Sequence, residues 1–232
     1  GKDIEPGVPS IDESMDTLKE LSEKVGKGRV AWRYDPVLLT KDYTVDRHME
    51  TFSYMAPELK DHVHRCIFSF VEMYNKLQFN MPEIIPLREG NRIALAKGLG
   101  QIAKDNDLTL QVCGTDMDYS EYGIRNSGCM TLDLLGKANG VEFRDLKHRG
   151  MRKGCHCIEA RDIGWYDTCP NGCRYCYANS NPEKAKANYL LHDPDSPLLF
   201  GSLQDDDIVT QSNQRSFLKN PPSLVRLDDF NR

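Results

Sequence analysis

Cys169, Cys173 and Cys176 stand in the segment Cys-Pro-Asn-Gly-Cys-Arg-Tyr-Cys, with three residues in the first gap and two in the second. Three thiolates this close can face one metal centre only if the backbone between them turns tightly. Gly172 gives the turn access to positive φ, and Pro170 stiffens its entry. Loop N–H groups can then point at cluster sulfur and tune its potential. Three ligands leave the fourth iron of a cluster open to a substrate or cofactor. Cys173 and Cys176 alone have ordinary zinc spacing, so a zinc knuckle is the plain alternative. The wider first gap, the glycine and the aromatic Tyr175 together favour iron and sulfide.

Four more cysteines can form a second site. Cys155 and Cys157 are a C-x-C pair just upstream, Cys113 ends an apolar run, and Cys129 follows it in a loop. If they meet at one end of a sheet, they complete a second Fe–S cluster or a structural zinc site. Otherwise Cys113 and Cys129 are small buried apolar groups. Cys66 lies inside an apolar strand and reads as core. His156, between two cysteines, is the one histidine placed to ligate. Arg33 and Asp35 follow another apolar run and are the candidate catalytic pair. Arg33 can hold a carboxylate or phosphate bidentately; the plain alternative is a salt bridge pinning the loop before Pro36. Glu72 and Asp116 also follow strands and read as substrate contacts or solvated carboxylates.

The spacing of Cys169, Cys173 and Cys176 resembles that of the radical S-adenosylmethionine superfamily, whose loop binds a [4Fe–4S] cluster. The wider chain resembles the bacterial domain-of-unknown-function family 1848. The similarity rests on Gly154-Cys155-His156-Cys157, on Asp162-Ile163-Gly164-Trp165-Tyr166-Asp167-Thr168-Cys169 and on Gly172-Cys173-Arg174-Tyr175-Cys176-Tyr177-Ala178-Asn179. Trp32-Arg33-Tyr34-Asp35-Pro36, Ile67-Phe68-Ser69-Phe70 and Leu198-Leu199-Phe200-Gly201 add to it. The superfamily resemblance implies S-adenosylmethionine as cofactor, Tyr175 and Gly172 as cofactor-binding residues, and an electron donor as partner. The implied chemistry is reductive cleavage of the sulfonium to a 5′-deoxyadenosyl radical, then hydrogen abstraction from an unknown substrate. The family resemblance also implies sequence ahead of Gly1, so the chain is expected to be N-terminally truncated, with further β/α units upstream.

The elements that must position these residues follow from periodicity. Ser10 and Glu13 form a capping box for a helix with Ile11, Met15, Leu18 and Val25 on one face, stopped by Gly26 and Gly28. Thr44 caps a second helix, with Pro57 expected to kink or shorten it. A third is expected over roughly 88–105, and a short one over 182–191, capped by Asn181 or Ser180. Apolar strands begin near Val30, Cys66 and Leu108. Their alternation with helices argues parallel pairing. The expected fold is α/β, a partial (β/α) barrel with parallel strands and a cysteine-rich, largely irregular C-terminal segment; an open doubly wound sheet fits the same rhythm. The expected division is 1–143 for the partial barrel, 144–200 for the iron–sulfur segment packed on it, and 201–232 for an extended tail.

Composition excludes several classes. The 232 residues carry a net charge of -5, so the chain is no general binder of phosphate backbones. The basic run Arg144, Lys147, Arg149, Arg152 and Lys153 keeps nucleic-acid processing as a rival, or offsets the charge of thiolate-ligated iron. A non-catalytic metal-binding protein is the other rival. No apolar run approaches the ~18 residues of a membrane span. Eight cysteines without an export signal point to a reducing, cytoplasmic setting.

Overall fold

The capping box at Ser10 forms as its sequence dictates. Its hydroxyl accepts from the Glu13 N–H at 3.2 Å, and Glu13 accepts from the Ser10 N–H at 2.8 Å. Helix α1, Ile11–Val25, follows. The structure, a computed structural model, describes residues 1–144, 152–160, 163–210 and 216–220. Lys147 and Arg149 of the basic run, and the tail from 221, lie outside the described residues.

Strand β1, Trp32–Val37, leads to α2, Val45–Leu59, whose N-terminus is capped by the Thr44 side chain. Pro57 sits in the last turn of α2, where it costs one backbone bond without ending the helix early. Strand β2, Cys66–Phe70, is followed by the short α3, Asn75–Asn80, and by α4, Glu89–Asp105. Strands β3, Leu110–Cys113, and β4, Arg125–Asn126, are joined through a turn of 3-10 helix at Ser120–Tyr122. Then come α5, Leu132–Asn139, and α6, Pro182–Leu190, which Asn181 caps.

The described strands form one four-stranded sheet, all parallel, in the order β1-β2-β3-β4. The fold is thus α/β. Strand β1 runs on through Pro36, further than the Val30–Ala31–Trp32 run predicts. Proline is tolerated there because β1 is an edge strand and its register with β2 shifts between Tyr34 and Val37.

One face of the sheet carries Trp32, Cys66, Phe68, Phe70, Leu110 and Val112. They pack against Met15 of α1, Phe52, Ala56 and Leu59 of α2, and Leu95, Leu99 and Ala103 of α4. Phe52 stacks on Trp32 with ring centroids 4.7 Å apart and meets Tyr34 edge-on at 5.2 Å. Because side chains alternate across a strand, Arg33, Asp35, Ser69, Gln111 and Cys113 fall on the opposite face. The strands are therefore not apolar throughout: they have an apolar face and a polar one.

A second apolar cluster sits just beyond the C-terminal ends of β1 and β2. It joins Ile4, Leu38, Val71, Leu77, Met81 and Ile84, with Tyr74 and Tyr175 packed against it. Part of the C-terminal region pairs back on the domain. Residues 216–220 run beside 142–144, with the Arg144 N–H donating to the Phe217 carbonyl at 2.9 Å and Lys219 N–H to the Glu142 carbonyl at 2.9 Å.

Candidate functional site at the strand ends

The polar face is tied together by side chains from successive strands. The Arg33 guanidinium donates to Asp35 through Nε at 3.1 Å and also through a second nitrogen. Ser69 of β2 donates to the other Asp35 oxygen. Burial works against the Arg33 charge, but the Asp35 hydrogen bond and the charges of Asp35, Cys129 and Cys113 hold it firmly protonated. The salt bridge read from the sequence is present, and half-exposed Arg33 still faces outward.

Arg65, just before β2, is only 8 % exposed. It donates to Gln111 Oε1 at 2.6 Å and to the Cys129 carbonyl at 2.5 Å. Gln111 in turn donates to the Ser127 carbonyl. This arginine–glutamine pair holds the loop after β4 across the starts of β2 and β3. Burial pulls the Arg65 guanidinium down, while the Cys129 and Cys157 charges oppose that.

Cys113, Cys129, Cys155 and Cys157 meet beside these arginines. The Cys129 and Cys157 sulfurs lie 3.3 Å apart, with Cys113 close enough to Cys129, and Cys155 to Cys157, to affect their thiols. The Met130 N–H also donates to Cys157 Sγ at 3.4 Å. The Cys129 hydrogen bond, helped by Arg33 and Arg152, draws Cys113 down to about 6 against burial. The same bond, with burial, pushes Cys129 up to about 12. Gly128 permits this approach: a Cβ there would fall 2.2 Å from the His156 carbonyl oxygen. His156 itself turns toward Asp116, 3.8 Å away, and Glu72 pairs with Arg152 at 3.4 Å.

Cys169, Cys173 and Cys176 occupy a separate loop near the ends of β1 and β2. The Gly7 N–H donates to the Asn171 carbonyl at 2.9 Å, and the Arg174 N–H to the Ile4 carbonyl at 2.9 Å. The Arg174 guanidinium grips Glu83 at 2.7 Å and the Asn80 carbonyl at 2.6 Å. Lys76 donates to the Cys176 carbonyl at 3.1 Å, and Tyr74 to that of Tyr175. Gly172 has φ +65, the left-handed turn that its place between the cysteines requires. Burial pushes the Cys173 thiol up, and the charges of Glu5, Cys176 and Cys169 add to it.

Tyr175 is packed inward and its hydroxyl donates to Glu5. Its ring lines a cleft of about 320 Å³ shared with Arg33, Tyr34, Asp35 and the N-terminal segment. Each of the eight cysteines is a thiol rather than half of a disulfide. Three thiols on one braced loop have the donor chemistry of an iron–sulfur ligand set. Among the described residues, no group of three or more His, Cys, Asp or Glu side chains is arranged as a ready-made ion site.

Sequence reasoning finds both cysteine groups and the Arg33–Asp35 pair. It misses Arg65, Ser69 and Gln111. The signal for Ser69 and Gln111 is a polar residue inside an otherwise apolar strand; Arg65, just ahead of β2, has none.

No helix among the described residues is long and apolar enough to cross a membrane. No curated protein and no solved structure matches the chain. The family described as Domain of unknown function (DUF1848) matches residues 1–178, which hold the whole sheet, both cysteine groups and the cleft. The chain belongs to that family.

Proposed function

We propose that the protein is an iron–sulfur enzyme of the radical S-adenosylmethionine type, built on a partial (β/α) barrel. The observation that carries this reading is that Tyr175, inside the cysteine loop, lines the same cleft as Arg33 and Asp35, a cleft that runs along β1 and reaches Leu38 just past its C-terminal end. Ligand sites of parallel α/β proteins gather at that end. The strand order supports a barrel-like winding, since doubly wound sheets reverse their order at a switch point and the described strands do not.

Cys169, Cys173 and Cys176 would hold the [4Fe–4S] cluster, and the cleft would take S-adenosylmethionine. When bound, the pair supplies one-electron reduction and radical chemistry. The chain supplies binding and order. The N-terminal segment, Asn80, Glu83 and Lys76 brace the loop so that its three thiols keep their places. Arg33, held protonated, offers a bidentate partner to a carboxylate on the cofactor or substrate. Ser69 aims Asp35, leaving that carboxylate as an acceptor at the cleft wall. Tyr34 and Tyr175 give the cleft apolar surface that limits water. The enzyme needs an external one-electron donor. The chemistry is placed in a reducing, cytoplasmic setting, where clustered thiols stay available to metal.

The test is 5′-deoxyadenosine release by anaerobically reconstituted full-length chain given S-adenosylmethionine and dithionite. Release should require the reductant and vanish in Cys176→Ala. Equal release from Cys176→Ala, or none from an iron-loaded chain, overturns the reading.

A further inference from the structure

We propose that Cys113, Cys129, Cys155 and Cys157 form one thiolate site for a single zinc ion, with Arg65 as its buried counter-charge. Three separate stretches of chain deliver these residues: the end of β3, the loop after β4, and the C-x-C segment. The Cys129 and Cys157 sulfurs lie 3.3 Å apart, and Cys113 and Cys155 interact with this pair from either side. Tetrahedral zinc with Zn–S near 2.3 Å sets its sulfurs about 3.8 Å apart. The Cys129–Cys157 separation is 3.3 Å, about half an ångström under that value, so this pair needs only side-chain adjustment to share one ion. A four-iron cluster places each thiolate on a different iron and holds the sulfurs further apart, so the close Cys129–Cys157 pair favours a mononuclear ion.

Arg65 supplies the independent observation. Its Nε is buried with no hydrogen-bond partner, and among the described residues no carboxylate pairs with it. A buried guanidinium without a counter-ion is costly. The Arg65 hydrogen bond to the Cys129 carbonyl at 2.5 Å places the guanidinium beside one of these cysteines. Four thiols that bind Zn2+ release four protons and leave a net charge of about -2 on the site, the partner this cation lacks. Arg33 and Arg152 stand near Cys113 and share that charge. The Met130 N–H on Cys157 is the kind of outer contact that orients a thiolate ligand. With four protein ligands the site is closed, so it is structural: it pins the loop after β4 and the C-x-C segment across the polar face. It is independent of the iron–sulfur reading of the other loop.

The probe is Co(II), then Zn(II), added anaerobically to chelator-treated full-length chain. One equivalent of Co(II) should bind with thiolate-to-metal charge-transfer and tetrahedral visible bands, and zinc should displace it. Cys129→Ser and Cys157→Ser should each weaken binding by about 100-fold, and Arg65→Gln by roughly 10-fold. Cys169→Ala should leave the titration unchanged, which separates this site from the other loop. Should the serine variants not fold, mass mapping of iodoacetamide labelling on the unaltered chain serves instead. Zinc should then shield Cys113, Cys129, Cys155 and Cys157 but not Cys169, Cys173 and Cys176. Unchanged cobalt binding in Cys129→Ser, loss of binding in Cys169→Ala, shielding of a different set, or an iron–sulfur cluster on these four cysteines would each overturn the proposal.

Discussion

Cys66 and Cys113 stand on adjacent strands of one sheet, and they could hardly differ more. Cys66 pairs in register with Leu110, and Cys113 with Ser69, three rungs along. Cys66 points into the helical layer, has no exposure, and burial pushes its thiol far up. Cys113 points the other way, toward Cys129, Arg33 and Arg152, and is drawn down to about 6. Residue type does not decide which cysteine can do chemistry here. The face of the sheet does: one face is a packed core and the other a set of charges and thiols held at fixed distances.

The widest gap between the faces is in access. With chelator present, native Cys113 should alkylate at least ~10³-fold faster than Cys66, because Cys66 reacts only through global opening. Peptide-resolved labelling rates check this; comparable rates would break the contrast. Phe52→Ala strikes the helical face, where the ring stacks on Trp32 and is fully buried. It should cost about 3–5 kcal/mol in chemical denaturation, yet leave Co(II) binding by the folded fraction unaltered.

Gly128→Ala strikes the other face. The added methyl meets the backbone at His156 and must drive the two loops apart. It should cost about 1–3 kcal/mol in thermal or urea unfolding and weaken Co(II) binding, the reverse of the Phe52 pattern. The smallest effect belongs to His48. Its Nε2 lies 2.8 Å from the Leu38 carbonyl and its Nδ1 2.9 Å from the Tyr34 hydroxyl, a neutral imidazole whose pKa burial lowers. A depressed folded-state value means its contribution is present above the unfolded pKa of about 6.5 and is lost as pH falls below it. Urea midpoints from pH 7.5 down to 5 should fall more steeply for the native chain than for His48→Gln. Parallel curves would remove His48 from the helical face's pH response.

How far these faces are legible in the sequence depends on length and period. Helices α1, α2 and α4 are long, with a capping box or threonine cap at the first two, and their expected limits fall within a few residues of those observed. Strand β4 has two residues and α3 six, too short for any period to emerge. Strand β1 was hidden beyond Trp32 because Arg33, Asp35 and Pro36 interrupt its apolar pattern. Those same interruptions line the cleft. Cys129 and Cys157 announce themselves as cysteines, but their 3.3 Å approach depends on Gly128 and on the Arg65–Gln111 brace, which no local spacing encodes.

The iron–sulfur reading stands or falls on the loop of Cys169, Cys173 and Cys176. Iron and acid-labile sulfide should be counted after anaerobic reconstitution of the full chain and of its three single alanine variants at these positions. With zinc present to fill the other site, the unaltered chain should hold about four iron and four sulfide, and each variant should lose them. An iron content that does not change when any of the three is replaced, or a chain that takes up zinc alone, would contradict it.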